Sequence, residues 1–117
     1  MESSFISEGI DFGHAIAAAK QGKSIARAGW NGKNMFVFMR PADKINIRTV
    51  VEVVKSLPQS VKDFIDSRDN RRNPGEFGLA DISFSAYLCM YAADGSIVNG
   101  WLASQTDMLA TDWTVLD

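Results

Sequence analysis

Histidine and cysteine each occur once in this chain, as His14 and Cys89. A lone cysteine closes no internal disulfide, and one histidine beside one cysteine makes no zinc-ligand set at any spacing. The expected compartment is therefore reducing, and no metal or cofactor is expected. Charge of one sign is scarce as well: 12 Lys and Arg stand against 14 Asp and Glu, a net charge of −2. The broad basic face of a protein that wraps duplex nucleic acid is missing, which excludes that partner. No apolar run is long enough to span a membrane, and the opening MESSFISEGIDFGHAIAAAKQGKS has no cationic lead of a signal peptide. The expectation is a cytoplasmic protein. The chain also has no G-x-S-x-G, no Walker loop, no H-E-x-x-H and no kinase signature. These absences remove the usual grounds for assigning a catalytic residue or calling the chain an enzyme.

What is present suits one compact domain over residues 1–117. At 117 residues and 46% hydrophobic content, the chain buries a core without staples. Asp11 is a fair N-cap, FGHAIAAAKQG sets Phe12, Ala15, Ile16 and Ala19 at helical spacing, and Gly22 follows as a stop. KSIARAG and NMFVFMR read as two short strands joined through WNGK, whose Asn31-Gly32 pair suits a tight hairpin turn. After Pro41, the spacing of Ile47, Val50, Val51, Val54 and Leu57 predicts a second helix, broken by Pro58. SVKDFIDSR adds a turn or two, and DNRRNPGEFG reads as a polar loop carrying the arginine cluster Arg68, Arg71 and Arg72.

From Ile82 to Tyr91 the apolar residues alternate with polar or aromatic ones, which predicts one long strand. Asp94-Gly95 turns the chain into a return strand through SIVNGW. Ser104 and Asp107 make a capping-box start for a short helix, and DWTVL closes as a strand. The expected fold is α+β: a small antiparallel sheet with an N-terminal helix and a central helical insertion.

Trp30, beside Arg27 and Lys33 at the lip of a turn, offers a stacking face for a base and cations for phosphate. The same ring equally suits a core tryptophan sealing a sheet edge. Asn99, Gln105 and Asp107 carry the paired donors or acceptors that read base edges or ribose hydroxyls, and amides near Ser104 suit an anionic oxygen. Plain helix capping also accounts for Ser104 and Asp107. Charges of Asp66, Asp69 and Glu76 offset the arginine cluster, so a solvated loop is its default reading. His14, read as having no acidic or serine partner nearby in sequence, is expected to be structural.

FGHAIAAAKQGKSIARAGWNGKNMFVFM and MYAADGSIVNGWLASQTDMLATDWTVL resemble, in that order, the two halves of a small phage and prophage family first catalogued as a domain of unknown function. Its members include the type-one anti-Thoeris proteins. The resemblance covers roughly 55 of the 117 residues and rests on R-x-G-W-N-G-K occurring together with A-D-G-S-I-V-x-G-W-x-A-S-Q-x-D-x-L-A-x-D-W. It implies a small α+β sponge that binds glycocyclic ADP-ribose signals of bacterial TIR-domain enzymes intact and keeps the defence effector off. For some members it also implies hexamers, trimers of dimers, that capture cyclic di- or trinucleotides at separate sites. Carried over residue by residue, it makes Arg27, Trp30, Asn31, Asn99, Ser104, Gln105 and Asp107 candidate ligand-binding positions, with no catalytic residue.

The implied partners are cyclic ADP-ribose isomers and cyclic oligonucleotides, the implied assembly is a homodimer or a hexamer, and the implied location is the cytoplasm of the host bacterium. A domain this small favours a pocket shared between subunits. Two other classes stay open on the residues alone. One is a nucleotide-hydrolysing enzyme with Asp107 or His14 as base. The other is a phage structural or protein-binding module anchored by Trp30 and Trp101.

Overall fold

A computed structural model of the chain describes residues 5–30, 33–72 and 80–116. Strands and helices combine in an α+β fold, as the sequence implied. They fall into two compact units: one formed by the chain up to Pro41 and from Ala86 onward, the other by Ala42–Ser85.

The first unit holds a six-stranded antiparallel sheet. Its strands are β1 (Phe5–Ile10), β2 (Ser24–Arg27), β3 (Phe36–Arg40), β6 (Tyr87–Tyr91), β7 (Ile97–Asn99) and β8 (Trp113–Leu116), in the order β1-β8-β2-β3-β6-β7. Helix α1 (Phe12–Lys20) begins where expected, with the Asp11 carboxylate accepting the His14 N–H at 2.9 Å. His14 does have an acidic partner: its Nδ1 lies 2.6 Å from the same Asp11 oxygen, three residues back, on the exposed surface. The helix ends in a Schellman motif. Lys23 N–H donates to the Ala18 carbonyl and Gly22 N–H to that of Ala19, with Gly22 at φ +92°, where a Cβ would be strained.

Ala15 and Ala19 let α1 approach the sheet closely. They form a buried cluster with Ile25, Val37, Trp113 and Val115, and the register sets Ile25 directly opposite both Val37 and Val115. Alternation along β2 and β8 turns Ala26 and Thr114 to the other face. Trp113 is fully buried. It meets Trp30 edge-on at 5.3 Å between ring centroids, Trp101 at 6.5 Å and Phe12 at 5.3 Å, and its indole N–H donates to the Asp107 carbonyl.

Two expectations change in this unit. β2 and β3 do pair antiparallel, but residues 28–35 separate them, opening with a 3-10 turn over Ala28–Trp30. The tight turn assigned to Asn31-Gly32 lies outside the described residues. β1 was not expected at all; it pairs with β8 through two register irregularities.

The second unit has its own two-stranded sheet, β4 (Asp43–Asn46) antiparallel to β5 (Asp81–Phe84). The expected long strand is thus two strands, β5 and β6, in different sheets, because the chain leaves extended pairing at Ser85 and Ala86 while the alternation continues in phase. Asn46 caps α2 (Ile47–Glu52), and Ile47 and Val50 are its buried residues. α2 stops earlier than its apolar spacing implied: the Val53 and Val54 N–H groups both donate to the Thr49 carbonyl, and the helix ends at Glu52. α3 (Gln59–Arg72) is longer than expected. Its chain holds neither Gly nor Pro, and Gln59 donates to Asp63 one turn on, so Arg68, Arg71 and Arg72 belong to a helix and not to a loop. The rest of the assigned loop, 73–78, lies outside the described residues.

Candidate functional site

Arg27 closes β2 opposite Trp113, and the register places Asp112, the residue before β8, within its reach. The guanidinium spans two carboxylates: Nε donates to Asp112 Oδ1 at 2.8 Å, Nη2 to Asp112 Oδ2 at 3.4 Å and Nη1 to Asp107 Oδ1 at 2.8 Å. Its fork geometry makes such a span possible where a lysine would hold only one partner. Asp107 also completes the capping box of α4 (Gln105–Leu109). Its N–H donates to the Ser104 hydroxyl at 3.0 Å, and its carboxylate accepts the Ser104 N–H at 3.2 Å. Gly29 N–H donates to Asp112 Oδ2 at 2.7 Å, and Ala28 N–H to the Asp112 carbonyl at 3.1 Å.

Beside this clamp a groove of about 470 Å³ opens on the sheet face of Ala26 and Thr114. Glu8, Arg27, Trp30, Lys33, Asn34 and Leu116 are among its lining residues. Trp30 is half-buried. One edge packs on Trp113, and its ring centroid sits 6.2 Å from that of Trp101, so it is at once a core residue and a groove wall. Asn34 takes φ +60°, the left-handed region that asparagine enters more readily than other non-glycine residues.

The comparisons with known proteins cover nearly the whole chain. A family model described as the Thoeris anti-defense 2-like domain matches residues 10–116. The chain belongs to that family. It is also similar to Thoeris anti-defense 2 of Bacillus phage SP01, with 31% identity over 107 residues, 92% of this chain and 94% of that protein. The family match runs unbroken through the middle block that the two resembling segments left out, and so takes in both compact units.

Within this Thoeris anti-defense 2-like chain, the structure brings Arg27, Trp30, Asp107 and Ser104 into one connected set. Gln105 opens α4 beside them, exposed. Asn99 stands apart on β7, three strands from β2, where its side chain accepts the Cys89 thiol. Asn31 lies outside the described residues. The sequence reading quoted Asp112 in the second motif without giving it a role, and it missed the groove residues Glu8, Asn34 and Thr114.

The clamp sets the protonation of its members. Hydrogen bonds from Arg27 hold the Asp112 carboxyl below the ordinary carboxylate range, and burial offsets only part of that. For Asp107 burial pushes upward, but the bonds from Arg27 and Ser104 outweigh it and its pKa is also lowered. Arg27, bonded to Asp112 and then Asp107, is raised. Carboxylates lowered in the folded state add stability above their unfolded pKa and lose it as pH falls through the folded value. The melting temperature is therefore expected to hold steady from neutral pH to about 5 and to fall below about 4, with a smaller fall in Asp112→Asn. Parallel curves for the two proteins would show that the clamp does not hold the Asp112 charge.

Proposed function

We propose that this chain is a phage anti-defense sponge: it binds cyclic nucleotide immune signals, glycocyclic ADP-ribose first among them, and holds them without cleavage, so that Thoeris effectors stay inactive. Cyclic oligonucleotides of related defences are further ligands under this reading. Membership in the Thoeris anti-defense 2-like family supports the biological setting. The observation that carries the chemistry is the half-buried Trp30 ring in the wall of a groove of about 470 Å³, with Lys33 beside it. A cyclic dinucleotide-like messenger needs an aromatic face, a cation near phosphate and a pocket poor in water, all without an activated nucleophile.

The state of the two candidate bases favours holding over hydrolysis. Asp107 is committed to Arg27 and Ser104 and its pKa is lowered, which makes it a poor proton acceptor at neutral pH. His14 sits on α1 with its Nδ1 against Asp11 and does not line the groove. An assembly of at least two subunits completes the pocket in this reading. Leu102 and Leu109, 88% and 80% exposed, supply apolar surface for such a contact.

Titration of glycocyclic ADP-ribose into the protein, followed by calorimetry, tests the reading. Trp30→Ala is expected to weaken binding by about 5- to 150-fold, the equivalent of ~1–3 kcal/mol of stacking, in a variant that still unfolds cooperatively. Undiminished affinity in a folded Trp30→Ala protein would assign Trp30 to the core alone.

A further inference from the structure

Trp30 ends a turn of only three residues, and one residue holds that turn from outside. Asp112 accepts the Ala28 N–H at its carbonyl, the Gly29 N–H at its carboxylate, and both Nε and Nη2 of Arg27. The two amides immediately before Trp30 are thus fixed to the same residue that orients the arginine at the groove. The approach is close. A Cβ on Gly29 would lie 3.0 Å from Asp112 Oδ2 and 3.1 Å from Arg27 Nη2, so a side chain there would have to push these two groups back by a few tenths of an ångström. Asp112 itself is absent from the groove wall and a third exposed. The pair is part-buried, so the convergence contributes stability as well as fixing the geometry of the turn.

We infer that Asp112 is a positioning residue for ligand capture: acting through Gly29 N–H and Arg27, it presets the Trp30 ring so that stacking requires no reorganisation of the turn. The inference rests on the sponge reading and deepens it. A ring already held in its binding pose spends none of its stacking energy on ordering a loop, so loosening Asp112 reduces affinity without removing any atom that touches the ligand.

The test uses the full chain, with glycocyclic ADP-ribose as probe and two readouts: affinity by calorimetry, and the exciton signal in circular dichroism from the edge-on Trp30, Trp101 and Trp113 rings. Asp112→Asn and, approaching the same contact from the turn, Gly29→Ala are each expected to weaken binding roughly tenfold and to change the tryptophan signal. Gly22→Ala, which strains the end of α1 away from the turn, serves as the control for lost stability and is expected to leave both readouts as in the wild type. Wild-type affinity and an unchanged signal in both Asp112→Asn and Gly29→Ala overturn the positioning role while leaving the sponge intact. A loss in Gly22→Ala equal to theirs overturns it too, by reducing the effect to stability. A wild-type protein that binds no probe overturns the sponge, and capture through Asp112 with it.

Discussion

Trp113→Ala is expected to destabilise the fold by about 3–5 kcal/mol, a large fraction of the stability of a domain this size. The indole is fully buried between α1 and the sheet, touches Phe12, Trp30 and Trp101, and gives its N–H to the Asp107 carbonyl. Alanine removes all of these contacts together, leaves a large cavity and leaves that carbonyl with only the longer bond from the Ala110 N–H, at 3.4 Å. Trp113→Phe keeps most of the volume and is expected to cost clearly less. Urea unfolding of both variants checks the account. A loss below about 1.5 kcal/mol for Trp113→Ala would mean that the core collapses around the gap and that Trp113 is not its centre.

Arg27→Ala is the second large effect, at about 2–4 kcal/mol. The side chains of Arg27 and Asp107 are 15% and 14% exposed, and that of Asp112 34%. Removing the cation leaves two neighbouring carboxylates without a counter-charge, one of them nearly buried; solvent at Asp112 keeps the cost below that of a fully buried pair. Arg27→Ala combined with Asp112→Asn is expected to cost less than the sum of the two single changes, because the second relieves a charge that the first stranded. Additive losses would reduce the clamp to independent surface contacts. The same removal is expected to loosen the Ala28–Trp30 turn, so ligand affinity should fall together with stability.

Local signals carried the first helix and the last. Asp11 and Gly22 bracket α1 as cap and stop, and the Ser104 and Asp107 pair sets the start of α4, because each signal acts within a few residues of where it stands. β1 carried no such signal. Its extended shape comes from pairing with β8, at the opposite end of the chain, and tertiary pairing of that kind leaves no local mark. The run from Ile82 to Tyr91 misled for a related reason. Alternation reports which residues share a face but not which sheet the face belongs to, so β5 and β6 looked continuous.

The candidate site divides along the same line. Trp30 and Arg27 stood out by residue type and by the turn around them. Asp112 stands 85 positions from Arg27, and only the β2–β8 register makes them neighbours. Of the two readings the sequence left open for Ser104 and Asp107, the structure shows the capping of α4, and it adds the bond from Arg27 to Asp107.

Recovery of the bound molecule is the most direct test of the central claim, that this protein holds a messenger and leaves it whole. The full chain is incubated with glycocyclic ADP-ribose, washed free of unbound nucleotide and denatured by heat, and the released material is identified by mass spectrometry. The expected result is intact ring in stoichiometric yield, unchanged by the length of incubation. Linear product that accumulates with time would make the protein an enzyme, and a wash that leaves nothing bound would end the sponge account.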